Sequence, residues 1–436
     1  MRDRRSTDRE IVALALPAMA ALAADPLLGL VDTALVGRLG AVPLAALGIN
    51  VAVFNAAFLV FNFLTYGTTA EVARLRGAGR PDDAARYALQ ALWLAVGLGV
   101  VVTAALILAA EPIVGAMGAA GPVTDPALAY LRVRALAAAP VLVVAVGHGA
   151  FRGLKDTRTP LGVAVGANAV NAAASYLLIY PGGLGVVGAA YGTLLAQTGA
   201  AVAFLVLARR RGRFPLPGLR VDLVAMRAIG RISRDLFLRT GSLLTALLVS
   251  TAAATRMGVE VVAAHQIARE LWTMLALVLD GFAVAAQAMV GTALGAGRHE
   301  RARADARRLV GWGLATGTVA GAGYLALAVP LPRLFTGDPA ILAEVAAVWL
   351  VVAALQPVGG VVFVLDGVFM GAGDFRFLLW STAAAALGAL VPVCLAALTF
   401  GWGLPGIWAG MAALMVVRLA ATSARLAGGR WATSRG

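Results

Sequence analysis

Apolar residues run through this chain in long unbroken blocks, not at alternating positions or along a single helical stripe. A helix crosses the hydrocarbon of a bilayer in about 20 mostly apolar residues. By that ruler twelve runs qualify, at 11–37, 43–73, 88–110, 127–150, 159–180, 184–208, 236–256, 260–293, 309–330, 340–366, 377–400 and 403–424. Turn-forming residues separate them: Gly40 with Pro43, Gly79-Arg80-Pro81, Gly121-Pro122, Pro181-Gly182-Gly183 and Gly337-Asp338-Pro339. The runs are too long and too uniformly apolar for the ~10-residue alternating strands of a membrane barrel. The first ten residues are strongly charged and no small-residue cleavage site follows the first run, so that run reads as a permanent span. The expectation is an all-α membrane protein with twelve transmembrane helices.

The pattern repeats. An interval of 218 residues, the separation of Arg38-Leu39-Gly40 from Arg256-Met257-Gly258, also carries Gly77-Ala78-Gly79-Arg80 onto Gly295-Ala296-Gly297-Arg298. It carries Phe151, Gly153, Asp156 and Arg158 onto Phe369, Gly371, Asp374 and Arg376, and Gly183, Gly185, Gly188 and Gly192 onto Gly401, Gly403, Gly406 and Gly410. One interval serving separate blocks is the mark of an internal duplication. Six spans per copy is an even number, so both copies enter the membrane in the same direction. The expected architecture is two parallel six-helix repeats around a central cleft. The lobes are drawn at 1–208 and 236–436, the second with a short cytoplasmic tail, and an Arg-rich cytoplasmic linker at 209–235 joins them. In the repeated Phe-x-Gly-x-x-Asp-x-Arg block, Asp156 and Asp374 are expected to cap the following helix or pair with Arg158 and Arg376.

Composition agrees with this picture and excludes others. Hydrophobic residues are 61% of 436 and charged residues 13%, against about 45–50% and about 25% in soluble domains. Cys394 is the only cysteine, so no disulfide scaffold is available. The net charge of +14 would suggest nucleic acid in a soluble protein. Here the cations gather in alternate connections: Arg2, Arg4, Arg5 and Arg9; Arg74 to Arg86; Arg152, Lys155 and Arg158; Arg209 to Arg234; Arg298 to Arg308; and the tail, counted from Arg418. Positive connections stay in the cytoplasm. Both termini are therefore expected inside, in a multi-pass protein of a bacterial plasma membrane, with no nucleic-acid partner.

Against so apolar a background the few polar groups inside the spans carry the chemistry. An ionised carboxylate in hydrocarbon is costly, so each one asks for a partner or a function. The candidates are Asp25 and Asp32 in the first run, Glu270 and Asp280 in the eighth, and Asp366 in the tenth. Asp25 and Asp32 share a helical face, as do Asp280 and Gln287. Asn168, Asn171 and Ser175 form an uncharged polar stripe on the fifth run. Glu270 follows Arg269 directly and reads as a structural ion pair. A carboxyl taken out of water favours its neutral form, which suits a proton carrier. His148, His265 and His299 lack metal-ligand spacing, and no phosphate-binding loop is present. Energy must then come from an ion gradient, and no cofactor or metal is expected.

These residues resemble a family. Pro26-Leu-Leu-Gly29-Leu-Val-Asp32-Thr33-Ala-Leu-Val-Gly37-Arg-Leu-Gly40 is similar to the first helix of multidrug and toxic compound extrusion (MATE) transporters, in particular the DinF-type branch. Phe151 to Pro160, Ala263-Ala-His-Gln-Ile267, Leu279-Asp-Gly-Phe-Ala283 and Leu365-Asp-Gly367 resemble further signatures of that branch. The resemblance covers essentially the whole chain. It implies cation-coupled efflux of bulky, often cationic or amphipathic compounds, with Asp32 as the proton site and Asn171 beside it. Two departures stand out: Ser175 and Gln287 occupy positions where relatives often carry an acidic residue.

The combined expectation is a proton-coupled antiporter working by alternating access, not an enzyme. Asp32 and Asp25 would couple protons, and Asn168, Asn171, Ser175, Gln266, Asp280, Gln287 and Asp366 would line the substrate cavity. Sodium is the rival ion, through an Asp280/Asp366 pair. A lipid-linked precursor flippase is the second reading; it calls for several buried arginines, of which the spans were credited with Arg132, Arg134, Arg239 and Arg269. The expected partners are a small-molecule substrate and the bilayer, and the protein is expected to act as a monomer.

Overall fold

In the computed structural model the described residues are 4–210 and 221–432, so residues 211–220 of the expected linker, and the ends of the chain, lie outside them. Among the described residues the structure is almost entirely helical, without strands. In chain order the helices are α1 (Arg4–Gly37), α2 (Ala41–Leu59), α3 (Asn62–Gly77), α4 (Pro81–Leu108), α5 (Ala110–Ala116), α6 (Thr124–Ala135), α7 (Ala138–Gly153), α8 (Arg158–Ile179) and α9 (Gly185–Arg210). They continue with α10 (Leu223–Met257), α11 (Val259–Gly295), α12 (His299–Ala326), α13 (Pro330–Arg333), α14 (Pro339–Gly371), α15 (Phe375–Ala385), α16 (Val391–Thr399) and α17 (Gly403–Ala427).

All twelve apolar runs lie in helices. Among the described residues ten helices are long and apolar enough to cross a membrane, with α2–α3 and α15–α16 each taken as one, and α6 with α7, bent by 47°, makes an eleventh. The bend falls at Leu136 and Ala137, one turn before Pro140, whose ring excludes the carbonyl of Leu136 from the regular helical bond. The run at 309–330 begins in α12, a helix of 28 residues. Glycine at 311, 313, 317, 321 and 323 dilutes its hydropathy.

The helices form two compact units, one comprising 20–233 and the other 234–436 together with the residues up to Met19. The first half of α1 therefore packs with the later unit, whereas the lobes read from the sequence kept 1–208 together. Gly281 on α11 explains the docking: a Cβ there would press on Met19 and lie 2.9 Å from the Ala15 carbonyl. Asp8 adds a polar anchor, accepting from Arg308 at 2.6 Å through both oxygens and from Trp312 Nε1 at 2.9 Å.

Each unit is held by the same glycine contacts, spaced by the interval found in the sequence. In the earlier unit, Gly149 and Gly153 on α7 meet the carbonyls of Thr65 and Thr69 on α3. In the later one, Gly367 and Gly371 on α14 meet those of Ala283 and Gln287 on α11. Gly99 faces Ala139, and Gly317 faces Gln356 and Pro357. Without a side chain, backbones approach closely enough for dispersion and weak C–H···O contacts to hold helices together in lipid. The turns repeat too: Lys155 stands at φ 60° where its counterpart Gly373 stands at 76°. One contact slips. Gly192 abuts Ser175, but Gly410 abuts Cys394, because a wide turn at Ala386–Leu390 shifts the register ahead of Pro392.

Of the repeated aspartates one caps as expected and the other takes an arginine from a different helix than the Arg376 expected. Asp156 caps α8, accepting from the Thr159 amide at 3.0 Å and its hydroxyl at 2.8 Å. Asp374 instead pairs with Arg425 at 2.8 Å.

Candidate functional site

In the unit of residues 20–233 a buried polar cluster forms around Asp32, which is 9% exposed. Asp32 sits on α1 in the middle of an apolar run. Asn171 and Ser175 lie four apart on α8, hence on one face, and both are fully buried. Ser175 Oγ reaches Asp32 Oδ1 at 3.3 Å and Asn171 Oδ1 at 3.5 Å. Asn171 Nδ2 donates to Thr193 Oγ1 on α9 at 3.0 Å, and Thr193 donates onward to the Ala189 carbonyl at 3.1 Å. Tyr130 on α6 is buried beside Thr193 as well. Arg134, one turn further along α6, lies over the Phe54 ring at 4.9 Å and acts on Asp32 through its charge.

Helix α8 and its C-terminal end also position the backbone of α1 on either side of Asp32. Asn168 Nδ2 donates to the Ala24 carbonyl at 2.7 Å, and Tyr180 donates to the Leu35 carbonyl at 2.8 Å. The structure thus brings together Asp32, Asn171 and Ser175 and sets Asn168 one turn away. The side chain of Asp25 lies outside the described residues. Thr193 and Tyr130 complete the cluster and were not foreseen; a lone threonine or tyrosine in an apolar run carries no pattern.

The unit of residues 234–436 holds a different arrangement. Asp366 on α14 receives Arg239 from α10 and Arg418 from α17, both on the same carboxylate oxygen. Arg239 Nε also donates to Thr382 on α15 at 3.2 Å. The Arg418 guanidinium lies 5.9 Å from the Phe363 ring centre, its side chain only 3% exposed. Asp280 on α11 bears on Arg418 electrostatically. The inventory of arginines inside the spans is corrected by this: Arg418 had been counted with the tail although it falls within the last apolar run. That run, 403–424, was the signal that could have found it.

Gln287 and Gln266 lie elsewhere on α11. Gln287 is buried at the crossing with α14, its main chain against Gly371. Gln266 is exposed and accepts from Arg269 at 2.7 Å, while Arg269 also reaches Thr251 at 3.4 Å. The fourteen residues separating Gln266 from Asp280 correspond to about 21 Å of helix. Arg269 thus turns to Gln266 and Thr251, where the sequence suggested Glu270. Among the described residues no three His, Cys, Asp or Glu side chains converge as metal ligands.

Long apolar helices, a duplicated architecture and buried polar clusters in each unit define a multi-pass membrane protein built to keep a few polar groups inside. The chain matches the MatE family twice, over residues 17–177 and 242–396, and it belongs to that family, whose members are membrane transporters and not enzymes. It is 36% identical to Protein DETOXIFICATION 44, chloroplastic, of Arabidopsis thaliana, over 96% of this chain and 82% of that one. It is 29% identical to DNA damage-inducible protein F of Escherichia coli strain K12, over 95% and 90%. A crystal structure described as MATE in the bent conformation shares the fold at a TM-score of 0.89, covering 97% of this chain and 95% of that chain at 24% identity.

The close contact between α8 and α9 gives a direct test of the cluster's packing. A Cβ on Gly192 would collide with Ser175 Oγ and lie 2.8 Å from its amide nitrogen. Gly192→Ala is expected to lower stability by about 1–3 kcal/mol through overpacking. Thermal unfolding in detergent measures this; an unchanged midpoint would mean that α8 and α9 have room to part.

Proposed function

We propose that this protein is a proton-coupled exporter of bulky organic compounds, cationic or amphipathic, which works by alternating access and exchanges proton for substrate at Asp32. The observation that carries this reading is a contrast between two buried carboxylates. Asp366 is held by two arginines, whereas the described contacts of Asp32 are the Ser175 hydroxyl and the charge of Arg134 at longer range. A carboxylate without a salt-bridge partner is free to take a proton or to face an organic cation; one already neutralised is not.

Ser175 supplies a means of sensing the change. Its hydroxyl carries one proton and faces two acceptors, Asp32 and Asn171. With Asp32 ionised, the hydroxyl donates to it. With Asp32 protonated, the carboxyl donates to Ser175 Oγ, and the hydroxyl proton turns to Asn171. The protonation state of α1 would thereby reach α8 and, through Asn171 and Thr193, α9. The arginine distribution supports an orientation with both termini in the cytoplasm of a bacterial plasma membrane.

The ion is tested in proteoliposomes loaded with a fluorescent organic cation. A pH gradient imposed without sodium is expected to drive counter-transport, and a sodium gradient at equal pH is expected to drive none. Sodium-driven transport at zero pH gradient overturns the proton assignment. The flippase reading gains one buried arginine over the sequence count, but Arg239 and Arg418 are both engaged by Asp366 rather than left open for a pyrophosphate.

A further inference from the structure

The expected sodium site in the later half of the chain rested on Asp280 and Asp366. In the structure the place where a cation would sit is taken. Two guanidiniums share one oxygen of Asp366, and the Thr382 hydroxyl oxygen, which could have served as another cation ligand, accepts from Arg239. Asp280 also bears on Arg418 through its charge. A small hard cation needs several oxygen ligands at once. It would also have to displace charge-assisted bonds whose donors are tethered to the same fold and therefore present at high effective concentration.

We propose that Arg239 and Arg418 act as built-in cations that keep Asp366 and Asp280 from binding a mobile one, and so determine the ion specificity of this unit. The proposal deepens the transporter reading but is independent of Asp32, whose role is tested by its own variant. It assigns Arg418, the more buried of the pair, as the principal specificity residue. Removal of its guanidinium leaves Asp366 with one arginine and takes away a positive charge that bears on Asp280, which creates a vacancy of about the right charge for sodium.

The test is thermal unfolding of the purified full-length protein in sodium chloride against choline chloride at equal ionic strength. Wild type and the charge-keeping Arg418→Lys are expected to show no sodium-specific shift. Arg418→Gln is expected to gain a sodium-specific rise in Tm that saturates in the millimolar range, as ligand linkage requires. The Arg418→Gln/Asp366→Asn double variant is expected to lose it again. A folded Arg418→Gln protein indifferent to sodium overturns the proposal. So does sodium stabilisation of wild type that disappears in Asp366→Asn, a comparison that keeps the proposal falsifiable should the glutamine variant fail to fold. Loss of proton-driven transport in an Asp32 variant, with these sodium responses intact, leaves this inference standing; the converse pattern separates the two in the other direction.

Discussion

Replacement of Asp32 by asparagine is expected to reduce gradient-driven efflux to the level of protein-free liposomes while leaving the protein inserted and folded. Asparagine has nearly the shape of aspartate and can still accept from Ser175, so the packing between α1 and α8 is preserved. The backbone of α1 remains fastened by Asn168 at Ala24 and by Tyr180 at Leu35. What disappears is the exchangeable proton and the negative charge. Without them the site can neither be driven by a pH gradient nor alternate between attracting a proton and attracting an organic cation. Efflux of a fluorescent cation under an imposed pH gradient measures the loss, and extraction yield with a monodisperse elution profile controls for folding. Full retained transport would remove Asp32 from the mechanism.

The second large effect is structural and lies in the crossing of α12 with α14. Gly313, Gly317 and Gly321 on α12 face Gly360, Gln356 and Ala353 on α14, backbone against backbone. A Cβ on Gly360 would fall well inside the van der Waals contact distance of the Gly313 carbonyl oxygen and 2.7 Å from its carbon. Neither neighbour is a flexible side chain that could swing away, so the helices must separate. Gly360→Val is expected to cost about 3 kcal/mol, near the top of the usual range for overpacking, and to lower the unfolding midpoint more than Gly192→Ala does. Gly323→Ala on the same helix serves as the contrast, because a Cβ there meets nothing within 4 Å. Equal behaviour of the two variants would show that α12 is not held by this crossing.

Much of this architecture was legible because its causes are local or periodic. Block hydrophobicity reports the solvent directly, and a duplication leaves identical residues at a constant interval. The same interval reappears in the contacts, with Gly149 on Thr65 matched by Gly367 on Ala283. Asn171 and Ser175 could be placed together because four residues make about one helical turn. The bend between α6 and α7 was hidden inside one apolar run, since hydropathy is indifferent to direction and only the steric demand of Pro140 produces it. In α12 glycine weakens the hydropathy signal at the positions where it brings backbones together.

The sequence by itself determined the membrane as solvent, the duplicated helical plan and the short list of carboxylates that a bilayer would not tolerate without cause. Which of those carboxylates is neutralised was decided only by the tertiary structure. Asp366 meets Arg239 and Arg418 across 127 and 52 residues of chain, and Asp32 meets Ser175 across 143. The energy of a buried charge depends on the distance to its counter-charge through space, which separation along the chain does not encode. Folding therefore sorts chemically identical side chains into one that is locked by two arginines and one that faces a neutral hydroxyl.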